Sequence, residues 1–151
     1  MYRLIGTTHS LEGLAGATAD FLRAMDSVRR QLAADTGLNG TELRAMARIA
    51  EAETITPKQV AETLEITNGA VTAITSSLVE RGLVTRVEKP ADRRSILLSL
   101  TPRGDEVMAG VYATFHRSIE AAASQLDAST TESVTQALRL LADTLSRAAT
   151  D

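Results

Sequence analysis

One stretch, residues 56–100, restricts the fold of this chain more than any other, because its pattern changes from helical to strand-like within a short distance. Thr56–Gln59 predicts the start of a short helix: the threonine can cap it, the proline fits the first helical position, and the glutamine closes a capping box. Glu65–Ile66 then predicts a tight turn, and Thr67 caps a second helix that Gly82 ends. Two short helices joined by a tight turn are typical of a helix–turn–helix.

Two strand-like runs follow these helices directly. Leu83–Lys89 and Ser95–Leu100 are rich in Val, Ile, Leu and Thr, and the turn residues of Pro90–Arg94 lie between them, which predicts a β-hairpin. A helix fits the major groove of DNA, and an arginine at a hairpin tip can reach the adjacent minor groove. This order of elements therefore favours a winged helix–turn–helix that binds double-stranded DNA. Because such geometry also occurs in proteins that do not touch DNA, a lobe that contacts another protein remains an alternative.

The second helix of this stretch has two different faces. At 100° per residue, Val71, Ile74 and Leu78 share the inner face. The opposite face carries the short residues Gly69, Thr72, Ala73 and Ser76. Asn68 and Thr75 lie at the edge of this face. Short hydroxyls can form hydrogen bonds with phosphates or base edges, so this face is a candidate contact surface, with an ordinary polar helix face as the alternative.

A long amphipathic helix is predicted before this stretch, over residues 11–34. Side chains that recur every three or four positions form its stripe, and they are Leu11, Leu14, Thr18, Phe21, Met25, Val28 and Leu32. Gly37 ends the helix, and Asn39 with Glu42 predicts the capping box of a helix over residues 40–52. The buried face of that second helix is predicted to be Leu43, Met46, Ala47 and Ala50.

Two further helices are predicted after the hairpin. Thr101–Pro102 opens a long one, whose stripe is Met108, Tyr112, Phe115, Ile119, Ala122 and Leu126. Ser129 with Glu132 predicts the capping box of a last helix, which is expected to bury Val134, Leu138, Leu141 and Leu145. Such strict stripes suit either a core within the chain or packing against a second copy, and the scarcity of aromatic residues favours the second copy. The predicted fold is mainly α with a small β-hairpin: an N-terminal dimerisation helix over 1–36, a winged lobe over 37–101 and C-terminal dimerisation helices over 102–151.

The charges are unevenly distributed along the chain. A formal net charge of −3 by itself disfavours a nucleic-acid partner. Residues 56–104, however, hold seven basic and five acidic residues, so the acidic excess lies elsewhere. A locally basic lobe is typical of a protein that binds a polyanion.

Several classes of function are disfavoured by what the sequence lacks. The chain has no Cys, which excludes disulfides, thiolate metal sites and thiol redox sensing. Its two histidines, His9 and His116, are far apart, and it holds no nucleophile, phosphate-loop or zinc-protease motif, so we expect no enzyme, metal or cofactor. No apolar run is long enough to span a membrane and the N-terminus lacks the pattern of a signal peptide, so the expected location is cytoplasmic, on the nucleoid.

Two motifs occur in EITNGAVTAITSSLVERGLVTRVEKPADRRSILLSLTPRG, residues 65–104. Leu78–Val84 contains a leucine, a variable residue and then E-R-G-L-V. Pro90–Arg94 followed by Leu100–Gly104 matches most of a second pattern, D-x-x-D-R-R followed by a strand and L-T-x-x-G. In both motifs the segment resembles the MarR family of bacterial transcription regulators, the first at the end of the recognition helix and the second in the wing. With the helices on either side, the resemblance covers essentially the whole chain.

The resemblance implies a homodimer, with the terminal helices of two subunits intertwined and one winged lobe on each subunit. It also implies a repressor that binds a pseudo-palindromic operator and is released by a small apolar or aromatic effector; a regulator without an effector is the alternative. The predicted DNA-binding residues are Lys58, Thr67, Asn68, Gly69, Thr72, Ala73, Ser76, Asp92, Arg93 and Arg94. The predicted effector site, where the dimer helices meet the lobe, is lined by Phe21, Met25, Met46 and Tyr112.

Within the wing, the resemblance implies that one arginine enters the minor groove while another pairs with Asp92. Arg93 and Arg94 share these roles in either order, and a solvated surface turn is the alternative.

The chain departs from the family pattern at two places. Many relatives carry arginine near the positions of Ala73 and Ser77, whereas this helix has no basic residue before Arg81. The wing and Lys58 are therefore expected to supply more of the affinity. Glu65 stands where glycine is common, so the turn is expected to differ slightly, since left-handed backbone strains other residues.

Overall fold

The computed structural model describes residues 11–89 and 92–148, with the backbone alone at residue 89 and at residues 92–95. In chain order its elements are α1 (Gly13–Thr36), α2 (Gly40–Ala52), α3 (Pro57–Leu64), α4 (Asn68–Glu80), β1 (Val84–Lys89), β2 (Asp92–Leu100), α5 (Pro102–Ala123) and α6 (Ala128–Ala148). The two strands form an antiparallel sheet. The prediction of a mainly helical chain with a small β-hairpin is confirmed.

Local side-chain signals set the helix boundaries, as the sequence predicts. Gly37 ends α1 in the left-handed conformation, with φ of 66°. At the start of α2 the Asn39 side chain accepts a hydrogen bond from the backbone N–H of Glu42 at 2.9 Å, and the Glu42 carboxylate accepts one from the N–H of Asn39 at 3.0 Å. Thr56 and Gln59 form the same reciprocal pair at the start of α3. These boxes satisfy N–H groups that a helix leaves unpaired in its first turn.

The hairpin is longer than the sequence predicts. β2 begins at Asp92 rather than Ser95, so Asp92–Arg94, which the sequence pattern places in the loop, belong to the strand. The register shifts between Glu88 and Lys89, where Lys89 pairs with Asp92. Such an irregularity lets a strand continue through residues whose composition is typical of a turn.

The last helix has a different cap from the predicted one. Asp127, not Ser129, caps α6: its carboxylate accepts hydrogen bonds from the backbone N–H of Thr130 at 2.8 Å and from the Thr130 hydroxyl at 3.2 Å. The backbone bond and then the hydroxyl bond are the main causes that lower the pKa of Asp127. An ionised carboxylate is a stronger acceptor for an N–H group than a serine hydroxyl, which explains why the helix begins earlier than predicted.

The chain divides into two compact units, Met1–Gly110 and Val111–Asp151, and the boundary falls inside α5. The core of the first unit is formed by α2, α3, α4 and the hairpin, and its largest fully buried side chains are Met46, Ile49, Val60, Val71, Leu78, Val84 and Leu98. None of the helices in residues 11–89 and 92–148 combines the length and the apolar character that crossing a bilayer requires.

Four side chains on α2 and α4 differ from the prediction. On α2 the inner face is completed by Ile49, while Ala47 and Ala50 are only half-buried. On α4 Thr75 lies in the core rather than at the edge of the polar face, with 3% of its surface exposed. Its hydroxyl donates a hydrogen bond to the carbonyl of Val71 at 2.8 Å. Because that bond satisfies the hydroxyl without water, a threonine can be buried there.

Apolar side chains of the first and last helices remain exposed in the single chain. Leu14 and Phe21 of α1 are 69% and 43% exposed, and Leu138 and Leu145 of α6 are 45% and 59% exposed. Leu141 of α6 is half-buried. The stripe of α6 is therefore not buried within the single chain, and its burial against a second copy stays a prediction.

Candidate nucleic-acid interface

The turn between α3 and α4 has the geometry of a helix–turn–helix. Glu65 ends α3 in the left-handed conformation, with φ of 55° and ψ of 43°. The backbone N–H of Ile66 donates to the carbonyl of Ala61 at 3.1 Å, as in a Schellman ending. The turn therefore keeps the shape that glycine commonly provides, although a residue with a Cβ atom is less stable in that conformation by about 1–2 kcal/mol.

α4 presents its short side chains to solvent. Thr67 caps the helix by accepting a hydrogen bond from the N–H of Ala70 at 3.2 Å. The inward face of α4 is fixed in the core by Val71, Thr75 and Leu78. The exposed row consists of Asn68, Gly69, Thr72 and Ala73, and Ser76 continues it half-exposed. The structure thus brings together on one face the residues of α4 that the sequence predicts as a contact surface.

The hydroxyls of this row have defined partners. The Thr72 hydroxyl donates to the carbonyl of Asn68 at 2.9 Å, which leaves its oxygen available as an acceptor. The Ser76 hydroxyl accepts a hydrogen bond from the Arg86 guanidinium at 3.2 Å. Arg86, on β1, is a candidate that the sequence analysis missed. The signal that could have found it is its position early in the strand that follows α4, where the two elements pack together.

Lys58 lies at the start of α3 and is the one predicted DNA-binding cation whose side chain the structure describes. Its side chain is 81% exposed and pairs with Glu62 at 3.7 Å. An exposed pair of this kind contributes little to stability and exchanges readily for another anion. Together with Thr67 and Asn68, Lys58 borders a cleft at the helix–turn–helix turn.

A polar cluster inside the lobe fixes α4 against α2. The Glu42 carboxylate is almost fully buried and accepts a hydrogen bond from the Ser77 hydroxyl at 2.8 Å. Its other oxygen lies 3.5 Å from the guanidinium of Arg81, which also donates to the carbonyl of Thr36 at 3.5 Å. The arginine of the E-R-G motif at the end of α4 therefore has a structural role, because Arg81 joins the ends of α1 and α4 to the start of α2.

A model described as MarR family matches residues 36–95, from the end of α1 into the hairpin. Over this segment the chain is similar to the MarR family. Proteins of this family are transcription regulators rather than enzymes.

Two curated relatives come from Bacillus subtilis. The organic hydroperoxide resistance transcriptional regulator is 39% identical over 54 residues, which are 36% of this chain and 37% of the relative. The HTH-type transcriptional repressor MdtR is 33% identical over 78 residues, 49% of this chain and 50% of the relative. The chain thus spans between about a third and a half of the length of these curated relatives. The absence of Cys means that a response to a peroxide through a thiol is not available to these 151 residues.

Among solved structures, a mutant of MepR from Staphylococcus aureus bound to an oligodeoxyribonucleotide has the same fold. It superimposes with a TM-score of 0.65 at 16% identity and covers 89% of this chain and 99% of its own.

The structure describes the wing of the hairpin only in part. The backbone places Asp92, Arg93 and Arg94 on β2, and their side chains lie outside the described residues. Their roles at the DNA therefore stay predictions. Within the described residues, no group of three or more His, Asp or Glu side chains is arranged to hold a metal ion.

The four predicted effector residues differ in accessibility. In the first unit Phe21 is 43% exposed, Met25 is half-buried, and Met46 is fully buried among the side chains of the core. In the second unit Tyr112 is 43% exposed. A ligand could reach Met46 only if the core opened, and the effector site stays a prediction.

Proposed function

We propose that this protein is a cytoplasmic transcriptional repressor that binds double-stranded DNA as a homodimer. The observation that carries the proposal is the exposed row on α4, from Asn68 to Ser76, on a helix whose opposite face is anchored in the core. Side chains this short allow the helix backbone to approach base edges closely in the major groove. Arg86 at the edge of the row and Lys58 near its start add positive charge beside the backbone of the DNA.

The dimer accounts for the exposed apolar stripes. Leu14 and Phe21 of α1 are exposed in the single chain, and so are Leu138 and Leu145 of α6; exposed apolar stripes of this kind are typical of interaction surfaces. A second copy presents the same stripes, and their three-or-four spacing suits helix-to-helix packing. A two-fold dimer also provides two recognition helices, which fits a pseudo-palindromic operator with half-sites about one DNA turn apart.

Sedimentation tests the dimer. At micromolar concentration the full chain should sediment as a dimer, and Leu138→Lys should shift it towards monomer, because a charge in a helix interface is costly. Gln136→Lys, on an exposed position of the same helix, is the matched control and should remain dimeric. A monomeric wild-type protein would contradict the dimer and the two-half-site operator together.

Release by a small apolar or aromatic effector is the second part of the proposal. It rests on the partly exposed Phe21 and Met25 of α1, which an apolar molecule could cover. A ligand that prefers a dimer with a different spacing of its lobes by about 1–3 kcal/mol would lower DNA affinity about 5–150-fold. Small aromatic acids and phenols can be screened by thermal shift, and each hit repeated in the DNA titration. A hit that stabilises the protein but leaves DNA affinity unchanged at saturation is not an inducer, and a regulator without an effector then remains.

DNA binding itself is tested by a fluorescence anisotropy titration with the DNA upstream of the protein's own gene. Thr72→Ala should weaken specific binding by about 1–3 kcal/mol if the hydroxyl contacts a base edge. Thr135→Ala of α6 is the matched control, since both hydroxyls are exposed and donate to the carbonyl four residues earlier, at 2.9 and 2.8 Å. If the wild type binds neither this DNA nor unrelated duplexes at low salt, the lobe is better explained as a protein-interaction module.

A further inference from the structure

A second group of cations borders α4 on the side that faces away from the hairpin. There a cleft of about 600 Å³ opens between α1, the start of α2 and α4. Its walls carry three arginines, Arg29 and Arg30 from α1 and Arg44 from α2, and its floor includes Ala70 and Ile74 of α4. All of these residues belong to the first compact unit.

The cleft has an excess of positive charge. Among the residues that line it, Asp26 is the acidic one, and it pairs with Arg29 at 2.9 Å. Within the part of the chain that the structure describes, Arg30 and Arg44 have no ion-pair partner, and both are exposed. Asn39 already caps the start of α2, so the arginines rather than free N–H groups of that helix give the cleft its character.

The position of these cations relative to α4 suggests what they bind. On one side of the exposed row, Ser76 contacts Arg86 of the hairpin. On the other side, Ala70 and Ile74 face the arginine cleft. A helix in the major groove, which is about 12 Å wide, has the phosphates of one strand on each side. Cations on both sides of α4 therefore match the two strands that border the groove.

We propose that Arg29, Arg30 and Arg44 bind the phosphodiester backbone of DNA along the strand that borders α4 on the side away from the hairpin. This inference rests on the proposed DNA-binding function. It explains how a chain with a net charge of −3 and no basic residue on the exposed row of α4 attracts DNA: the charge that the helix lacks is supplied by two other helices. Asp26 holds Arg29 in place while leaving part of its guanidinium available.

The test is the salt dependence of DNA affinity, measured for the full chain between about 50 and 200 mM salt. Each substitution is present twice in a dimer and removes two phosphate contacts, so the slope of log affinity against log salt should fall by about 1.8 for Arg30→Ala and for Arg44→Ala. Over that range the wild type should consequently lose about 10-fold more affinity than either variant. The loss should be equal for operator and unrelated DNA, because phosphate contacts carry no sequence information.

Two further variants make the result specific. Arg44→Lys keeps the charge and should restore most of the slope. Arg139→Ala removes an exposed arginine of α6 that, like Arg30 and Arg44, forms no ion pair with the described residues. This variant should leave the slope unchanged. Circular dichroism of all variants should match the wild type, since the substituted side chains are exposed.

The outcomes separate this inference from the proposed function. If the wild type binds DNA and Thr72→Ala weakens it, but Arg30→Ala and Arg44→Ala leave the slope unchanged, the phosphate contact is wrong and DNA binding stands. In another outcome, the slope is unchanged while benzoate raises the Tm of the wild type but not that of Arg44→Ala. That result would assign the cleft to a small organic acid. If the wild type binds no DNA at all, the proposed function fails and this inference fails with it.

Discussion

The contact between α5 and the loop before β1 leads to a sharp prediction for Gly104. A Cβ atom at this position would lie 2.1 Å from the carbonyl oxygen of Leu83 and 3.4 Å from the Cβ of Leu100. Since the φ of Gly104 is not in the left-handed region, space rather than backbone conformation requires glycine here. Gly104→Ala therefore forces the start of α5 away from Leu83 by about 1 Å, because ordinary contacts of this kind exceed 3 Å.

The cost of that displacement follows from the bonds that join α5 to the lobe. Thr101 donates from its backbone N–H to the carbonyl of Leu83 at 3.1 Å and from its hydroxyl to the carbonyl of Gly82 at 2.7 Å. Overpacking costs about 1–3 kcal/mol, and each weakened hydrogen bond adds about 1 kcal/mol. The higher helix propensity of alanine offsets about 1 kcal/mol of this. We expect Gly104→Ala to lower the free energy of unfolding by about 2–4 kcal/mol.

Gly110, in the same helix, provides the matched control. A Cβ atom there meets nothing within 4 Å, so Gly110→Ala should stabilise the protein by about 0.5–1 kcal/mol through helix propensity. Urea denaturation followed by circular dichroism, at one fixed protein concentration, measures both variants. A Gly104→Ala protein as stable as the Gly110→Ala protein would refute the reasoning from close approach.

Three other predictions concern the lobe and the last helix. Glu42→Ala should lower the free energy of unfolding by about 2–4 kcal/mol, because the Ser77 hydroxyl and the half-buried Arg81 lose their acceptor; Glu42→Gln, which keeps one acceptor oxygen, should cost less in the same urea titration. Arg93→Ala or Arg94→Ala should weaken operator binding by about 1–3 kcal/mol in anisotropy titrations with unchanged circular dichroism, and wild-type affinity for both variants would remove the wing from the mechanism. Hydrogen bonds from Thr130 lower the pKa of Asp127 in the folded protein from its ordinary value of 3.8. The ionised Asp127 therefore stabilises α6 at a pH above its pKa in the unfolded chain, and this stabilisation is lost as the pH falls through the lower pKa of the folded protein. The stability difference between wild type and Asp127→Ala should hence shrink as the pH falls below the ordinary aspartate range, and a difference that does not change with pH would contradict this.

Much of the fold is determined by short-range signals in the sequence. The capping boxes at Asn39 and Thr56 and the glycine at position 37 act over three or four residues, so the sequence alone identifies the glycine that ends α1 and the residues that cap the starts of α2 and α3. The exposed row of α4 is likewise a consequence of helical periodicity, and the structure confirms that Thr72 and Ala73 face outward. The sequence does not identify the cap of α6, because Asp127 and Ser129 are both residue types that favour a cap and only the folded backbone decides between them.

Only the tertiary structure shows which distant parts of the chain contact one another. Glu42 and Ser77 are 35 positions apart, and neither residue type by itself predicts a buried bond between them. Arg30 and Arg44 lie outside the basic segment that the sequence shows, yet folding of α1 and α2 beside α4 places both next to the contact face. Hydrophobic periodicity specifies which face of a helix is apolar but not what covers it, since burial is non-directional and any apolar surface serves. The stripes of α1 and α6 were therefore predictable as faces, and only the structure shows that the single chain leaves them exposed.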